Sequence, residues 1–226
     1  GLNEIGKNMY AVEVDKDIFV FDAGLKYADD KMLGVDYIIP SYEYIKKNIK
    51  RVKGIFITHG HDNQMGALTE IVKELPDIKI YGTAFTLEVI KDEFISEGLD
   101  TKNLCVINPH RKINFGNNSI FPISLTHTVP DAVGYVLYTP DGAIFYTGNF
   151  AIDSSMTGSF KTDIGKLAYV GKQGVLCLLS ESLYAERPGH TSPKHRLTGF
   201  FRDVINRTAD RIKDIAREVE IGKTYT

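Results

Sequence analysis

Two histidines, His59 and His61, are the residues of this sequence best suited to chemistry. They stand two positions apart beside Gly60, so both imidazoles can turn toward one ion. Histidine nitrogens suit zinc, and three such ligands leave a fourth position open for water. A pair with this spacing also arises by chance, so a metal site needs support from the rest of the chain.

The elements around this pair predict how it is positioned. The segment 52–58 is typical of a strand that runs directly into the polar loop. Helical spacing follows at Met65, Leu68, Ile71, Val72 and Leu75, and Pro76 and Asp77 end it. The histidines are therefore expected between the end of a strand and the start of a helix.

Strands in runs, with helices between some of them, predict an α+β fold of two stacked sheets flanked by helices. The pattern indicates a hairpin at 10–14 and 18–21, further strands at 78–81, 104–108, 112–115, 119–126, 134–139 and 143–147, and a buried strand at 175–180. It indicates helices at 83–96, 163–172 and 193–207. The turn Pro140-Asp141-Gly142 joins two alternating strands.

Composition limits the class of protein. The chain has 226 residues, 43% of them hydrophobic and 25% charged, which is typical of a soluble domain. Its apolar runs are too short to cross a bilayer, and residues 1–7 do not have the pattern of a secretion signal. We therefore expect a cytoplasmic protein without a membrane partner.

The two cysteines and the charge add further expectations. Cys177 stands in an apolar run and is predicted to be a buried core residue, and neither it nor Cys105 has a CxxC partner. The net charge of −2 argues against RNA affinity over the whole surface. One local basic cluster is either a solvated helix face or a phosphate-binding strip; it consists of Lys46, Lys47, Lys50, Arg51 and Lys53.

Several stretches resemble the ribonuclease J family of the metallo-β-lactamase superfamily, in order and spacing, over about residues 1–212. These are the T-H-G-H loop at 58–61 and the segments 1–8, 21–24, 33–40, 126–131, 146–150 and 174–180. The resemblance implies the first part of an αββα four-layer sandwich and a pair of zinc or manganese ions. It also implies RNA degradation and maturation, chiefly 5′ to 3′ with endonuclease activity as a further expectation, in dimers or tetramers.

The resemblance assigns roles to individual positions. His59, His61 and His127 match the three histidines of the first metal site, and Asp22 matches an aspartate that supports the site loop. The positions of two second-metal ligands and of the bridging aspartate hold neutral amides instead: Asn63, Gln64 and Asn149.

An amide contributes no negative charge and cannot act as a base. We therefore expect the second metal to be absent. At the first site, the histidines either hold one ion or are relics in a polar cleft. Asp62 could swing inward as a substitute, although its position in such a loop normally points elsewhere.

This pattern resembles a ribonuclease J paralogue that acts mainly as a partner subunit, bound to RNA and to an active relative. A slow single-metal ribonuclease is the alternative, and a small ester or thioester hydrolase of the same fold is a third class. Neither a GxSxG elbow nor a Walker-type loop is present, which argues against serine hydrolases and NTPases.

Other polar residues have either a functional or an ordinary structural interpretation. Ser180 and Ser182 either contact substrate or cap a loop after the last predicted strand. The histidines His110, His190 and His195 match no ligand position, and Arg187 and Lys194 are typical of a solvated loop.

The resemblance also predicts a domain boundary. Residues 1–212 correspond to the first part of the metallo-β-lactamase domain, and 213–226 form an unmatched tail where a β-CASP domain would begin. The second half of the metallo-β-lactamase domain, with one more histidine ligand, has no counterpart in this sequence. We therefore expect part of the sandwich to present an apolar face.

Overall fold

The fold is known from a computed structural model, which describes residues 1–29, 31–153, 155–189, 201–209 and 211–213. Its contacts divide the chain into two units, Gly1–Leu183 and Tyr184–Thr226. In the second unit, residues 201–209 and 211–213 are helical, in agreement with the later part of the helix expected at 193–207. The boundary expected at 212 stays a prediction.

The first sheet carries the strand that leads into the histidine loop. Its order is β1 (Tyr10–Val14), β2 (Asp17–Phe21), β5 (Val52–Phe56), β6 (Ile80–Gly82) and β7 (Leu104–Val106). The β1–β2 pair is an antiparallel hairpin, and the remaining pairs are parallel. Strand β2 is buried on both faces, as its unbroken apolar sequence predicted.

Helices and a small hairpin accompany this sheet. They are β3 (Lys26–Tyr27), β4 (Tyr37–Ile38), α1 (Glu43–Lys47), α2 (Asp62–Met65), α3 (Leu68–Glu74) and α4 (Ala84–Ser96). The helix expected after the histidine loop is divided into α2 and α3, because Ala67 N–H donates to the carbonyl of Ala23. This bond ties the loop after β2 to the helix junction.

The second sheet has the order β12 (Cys177–Leu179), β11 (Gly142–Tyr146), β10 (Val133–Thr139), β9 (Asn118–Ser124) and β8 (Ile113–Phe115). Its pairs are antiparallel except that β12 runs parallel to β11. Helix α5 (Ile164–Gln173) connects these two strands. The helix and the turn at 140–142 lie where the sequence placed them.

Three apolar clusters define four layers. One joins α3 and α4 to the first sheet, one fills the space between the sheets with rings such as Phe56 and Tyr135, and one joins the second sheet to α5 through residues such as Phe121 and Val170. The predicted α+β sandwich of helix, sheet, sheet and helix is therefore confirmed. No helix of the described residues is both long enough and apolar enough to span a membrane.

The expectation of a buried core strand at 175–180 is wrong. Among the described residues, strand β12 pairs with β11 alone and lies at the edge of the second sheet. Cys177 is exposed, and Leu176 and Leu178 are 64% and 59% exposed. The apolar run therefore belongs to a strand that is paired on one side and exposed on much of its surface. An unbroken hydrophobic sequence cannot distinguish such an edge strand from a buried central strand.

Candidate metal centre

The fold brings three histidines from two distant loops together. His59 and His61 follow β5, and His127 lies between β9 and β10. One ring nitrogen from each lies within 4.8 Å of the other two. The ring centroid of His59 is 4.9 Å from that of His61 and 4.4 Å from that of His127. This is the group that the sequence comparison with the family assigned to the first metal.

The geometry of this group fits a zinc-type cation. His61 Nδ1 and His127 Nε2 are 3.3 Å apart. Two nitrogens that each lie about 2.0–2.1 Å from a tetrahedral zinc are separated by roughly 3.3 Å. His59 Nε2 is buried and has no hydrogen-bond partner within the described part of the chain. A buried nitrogen in that state is ready to bind a cation.

A buried hydrogen-bond chain orients His59. Its Nδ1 lies 3.0 Å from Thr58 Oγ1, which lies 3.0 Å from both carboxylate oxygens of Asp22. Asp22 also accepts bonds from Thr58 N–H at 2.8 Å and from Tyr146 O–H at 2.7 Å. Because the Thr58 hydroxyl donates to an ionised Asp22, it accepts from His59 Nδ1–H, which leaves the lone pair on Nε2.

Burial sets the charge states of His59 and Asp22. Desolvation, then His127 and His61, lower the pKa of His59 to about 2, so the imidazole is neutral. Desolvation raises the pKa of Asp22 to about 7, against the opposing hydrogen bonds from Thr58 and Tyr146. The neutral imidazole is the form that binds metal, and the ionised form of Asp22 gains population as the pH rises through neutrality.

The His127 loop is fixed from its other side. Thr126 N–H donates to Thr162 Oγ1 at 2.8 Å, and Thr126 Oγ1 donates to the carbonyl of Phe160 at 2.6 Å. Ala151 N–H donates to the carbonyl of Thr126 at 2.8 Å. The segment before α5 and the loop after β11 thus hold the backbone that carries His127.

The backbone of residues 63 and 64 is clamped by two segments from early in the chain. Asn8 Nδ2–H donates to the carbonyl of Asn63 at 3.0 Å, and Ala23 N–H donates to that of Gln64 at 2.7 Å. A Cβ at Gly24 would lie 1.7 Å from the carbonyl oxygen of Asn63, so only glycine fits there.

The amide positions form a hydrogen-bonded chain of their own. Gln64 Nε2–H donates to Asn149 Oδ1 at 2.7 Å, and Asn149 Nδ2–H donates to Glu181 Oε2 at 3.1 Å. The other oxygen of Glu181 accepts from Phe150 N–H at 2.5 Å. We call Gln64, Asn149 and Glu181 the amide chain.

This arrangement does not fit a second divalent cation. The amide oxygen of Asn149 and both oxygens of Glu181 already accept hydrogen bonds, which leaves Gln64 Oε1 as the one oxygen of the amide chain without a hydrogen-bond partner among the described residues. Gln64 is fully buried, and neutral amides supply no charge to offset the desolvation of a cation. Glu181 is the one carboxylate in the amide chain, and burial raises the pKa of its side chain.

Asp62 faces away from the histidines. Its carboxylate accepts a hydrogen bond from the hydroxyl of Tyr27, which belongs to β3. The same residue's carbonyl accepts from Leu25 N–H at 2.8 Å. In the observed conformation, Asp62 therefore fastens α2 to the β3 segment and does not replace the missing ligands.

Glu181 was missed as a site residue, although the turn that contains it was noticed. Ser180 and Ser182, which the sequence suggested as substrate contacts, are exposed, and Ser180 Oγ–H donates only to the carbonyl of Glu181. A signal was present: β11 and β12 are parallel, so the residues that follow them meet at one edge of the sheet. Asn149 and Glu181 follow those two strands.

One other polar candidate of the first unit, His110, is not part of the histidine group. His110 is exposed, and its Nδ1 is 3.6 Å from Asp163. The guanidinium of Arg187 lies 4.0 Å from the ring centroid of Tyr184. His190, Lys194 and His195 lie outside the described residues.

The basic cluster at 46–53 is largely neutralised. Lys46 is 2.7 Å from Glu74, Arg51 pairs with Glu13, and Lys53 is 2.8 Å from Asp17. These pairs favour the solvated-face interpretation over a phosphate-binding strip.

Comparison with known proteins agrees with this fold and centre. The family model described as "Metallo-beta-lactamase superfamily" matches residues 2–156, and the chain belongs to this superfamily. Within it, the sequence is 38% identical over 213 residues to Ribonuclease J 2 of Staphylococcus aureus (strain MRSA252) and 36% identical to Ribonuclease J 2 of Staphylococcus saprophyticus. The likeness to ribonuclease J that the motifs indicated is thereby confirmed.

These matches cover most of this chain but a smaller share of each relative. The aligned region covers 94% of this chain and 38% of each ribonuclease relative, so the chain spans well under half of their length. A crystal structure of a protein of unknown function from Enterococcus faecalis V583 matches 84% of this chain and 50% of its own, with a TM-score of 0.55 and 15% identity. At that identity, the match bears on the fold alone.

Proposed function

We propose that this chain is the metal-site part of a ribonuclease J-type protein of RNA processing and decay in the cytoplasm. Its own catalysis is weak or lost, and it acts mainly as an RNA-contacting subunit beside an active ribonuclease J, in a homo- or hetero-oligomer. The observation that carries the proposal is the amide chain, in which Gln64 donates to Asn149 at 2.7 Å and Asn149 donates to Glu181 at 3.1 Å.

The chemistry of phosphodiester hydrolysis explains why this observation matters. In two-metal sites, one pair of ions stabilises both the attacking and the leaving oxygen. Amide side chains cannot accept the proton of an attacking water. The carboxylates around this centre already accept hydrogen bonds: Asp62 from Tyr27, Glu181 from Phe150 and Asn149, and Asp22 from Thr58 and Tyr146.

The three histidines keep the capacity to bind a single cation. When bound, a zinc-type cation supplies Lewis acidity and lowers the pKa of a bound water. His59, His61 and His127 would hold that cation, and the Thr58–Asp22 pair would keep the His59 ring in place. A carboxylate base positioned beside the water is missing from the described residues that form this centre.

Metal content and RNA turnover test the proposal together. The full chain is dialysed against trace zinc and manganese, and its metal is measured by elemental analysis. Hydrolysis of a 5′-monophosphorylated RNA is then followed for the chain alone and mixed with an active ribonuclease J paralogue. We expect at most one ion per chain, little turnover alone, and co-elution with the paralogue. Two ions per chain with efficient turnover would contradict the loss of the second position.

A slow single-metal ribonuclease is the second candidate, and the buried, unpartnered His59 Nε2 favours it. It predicts one tightly held ion and slow RNA cleavage by the chain alone. That cleavage should stop in a His127→Ala variant and persist in a His110→Ala variant, because His110 is exposed and its Nδ1 lies near Asp163 instead. Cleavage that survives loss of His127 would point to a contaminating nuclease.

A further inference from the structure

Charge is distributed unevenly along the chain. Residues 1–100 contain 12 Lys and Arg against 18 Asp and Glu, whereas residues 101–180 contain 6 against 4. The first stretch therefore has a formal charge of −6 and the second of +2. The second stretch contains most of the second sheet and α5, so this part of the chain has the net positive charge.

The cations of the two stretches also differ in their partners. In the first, seven of the twelve cations pair with a carboxylate among the described residues, for example Lys46 with Glu74 at 2.7 Å and Lys73 with Glu70 at 3.0 Å. In the second, five cations form no ion pair with any carboxylate of the described residues: Arg111, Lys112, Lys161, Lys166 and Lys172.

Two of these lysines and two tyrosines lie around α5. The Lys112 amine is 4.4 Å from the ring centroid of Tyr138, which packs against the cluster joining the second sheet to α5. Tyr138 O–H donates to Gln173, and Gln173 Nε2–H donates to Tyr169 O–H at 2.9 Å. Lys166 lies on α5, with its amine 5.9 Å from the ring centroid of Phe121.

We call this surface the α5 face. It consists of the five unpaired cations together with Tyr138 and Tyr169. Tyr169 is 56% exposed, so part of its ring is open to a ligand.

The α5 face begins beside the metal centre. Thr162 Oγ1 accepts from the backbone of Thr126, the residue before His127, at 2.8 Å. Helix α5 starts at Ile164 and runs for 10 residues, which corresponds to about 15 Å. Lys161 thus lies at the end near the histidines, and Lys172 lies near the far end. Asp163, a carboxylate on this face, is occupied by Lys166 N–H at 2.9 Å.

We infer that the α5 face binds single-stranded RNA that leads away from the metal centre. Lysines spaced along α5 contact successive phosphates, and the exposed ring of Tyr169 stacks on a base. A single strand presents both charge and flat rings, which is the combination that spaced cations and aromatic side chains recognise. The inference rests on the proposed function, because it supplies a path for the RNA of that function.

A charge-reversal experiment with a matched control tests the α5 face. The full chain carries Lys112→Glu, Lys166→Glu and Lys172→Glu; the control carries Lys46→Glu, Lys73→Glu and Lys91→Glu, which make the same charge change at paired lysines. The affinity for a fluorescein-labelled oligoadenylate is measured by anisotropy over a range of salt. We expect an affinity about tenfold lower or more, with a salt slope reduced by about 2, for the first variant only.

The stacking contact is tested separately by Tyr169→Ala. Its affinity for the oligoadenylate is expected to fall about fivefold or more with an unchanged salt slope, because the ring carries no charge. Circular dichroism of each variant checks that the fold is kept.

The outcomes separate this inference from the proposed function. Equal losses in the two triple variants would overturn the α5 face, because they would reflect net charge alone. RNA binding that neither variant alters would also overturn it, while leaving the proposed function in place. If the chain bound no RNA, with or without the paralogue, both the α5 face and the proposed function would be contradicted.

Discussion

The two halves of the metal centre begin from one loop and end in opposite states. His59 and His61 present nitrogens that converge with His127, and His59 Nε2 is left without a hydrogen-bond partner among the described residues. A few residues on, Gln64 bonds to Asn149, and Asn149 bonds to Glu181. In one half a buried ring nitrogen is available to a cation; in the other, the amides bond to each other and to Glu181, while Gln64 Oε1 has no hydrogen-bond partner among the described residues.

The difference explains how a buried site can hold neutral amides at positions where the resemblance predicts charged ligands and still keep its fold. A buried polar atom without a partner costs free energy, so neutral replacements for charged ligands need new partners. The amide chain supplies partners for the amide of Asn149 and for Gln64 Nε2–H, but not for Gln64 Oε1. A cation entering there would have to break two hydrogen bonds and would gain no charge neutralisation from the amides.

Restoring the charged ligands should produce the largest change in metal content and in RNA turnover. The variant Asn63→Asp, Gln64→His and Asn149→Asp removes the amide chain and adds two formal negative charges. We expect a second ion per chain and RNA turnover higher by about 100-fold or more, since a second metal contributes several kcal/mol to the transition state. Metal analysis and an RNA hydrolysis assay on the full chain measure both.

A charge-matched control accompanies this variant. Asn114→Asp together with Asn117→Asp adds the same two charges at exposed positions around β8. If the restored variant bound no second ion, the remaining cleft would be shown to differ from that of an active enzyme.

Removing a ligand from the open half should give the next largest effect. We expect His127→Ala to lower zinc affinity by about 100-fold or more, because it deletes one of three converging nitrogens. Competition with a chromogenic chelator measures the affinity. His110→Ala serves as the control and should leave it unchanged; equal affinity in the two variants would show that zinc binds elsewhere.

Stability should depend on pH through Asp22, which supports the open half. Its pKa is raised from 3.8 to about 7, so the folded protein holds a proton that the unfolded chain has released. The contribution of Asp22 to the free energy of unfolding should therefore fall by about 1.4 kcal/mol per pH unit as the pH rises from about 4 to 7, and it opposes that of His59, whose lowered pKa makes stability rise with pH up to about 6.5. Below that window the contribution is fully present.

Urea denaturation at several pH values measures this dependence. Asp22→Asn should remove the falling contribution and make the slope more positive within the window, whereas Asp77→Asn, at an exposed position, should leave the slope unchanged. An unchanged slope in Asp22→Asn would assign the titration to another group.

The smallest effect should come from the hydroxyl between Asp22 and His59. Thr58→Val removes the oxygen that lies 3.0 Å from His59 Nδ1 and should weaken zinc binding roughly 10-fold, as losses of such supporting bonds do. Thr58→Ser keeps the hydroxyl and should bind nearly as well as the native chain. Similar losses in both variants would attribute the effect to packing, because Thr58→Ser deletes the native methyl and Thr58→Val puts a methyl in place of the hydroxyl.

Much of the fold and part of the centre were accessible from the sequence. Alternation and helical spacing gave the two sheets and α4 nearly to the residue, and the T-H-G-H loop with His127 gave the three converging histidines. The strand at 175–180 was predicted as buried and is an edge strand, because apolar character reports what a residue prefers and not how many neighbours the fold provides.

The sequence by itself determined the residue types at each position: three histidines, three neutral amides and a supporting aspartate. Only the tertiary structure decided what those residues contact. It paired Asn149 with Glu181 across two parallel strands, turned Asp62 toward Tyr27, and placed unpaired lysines along α5. The physical reason is that hydrogen bonds and ion pairs form over a few ångströms between segments far apart in the chain, and neither periodicity nor spacing encodes those distances.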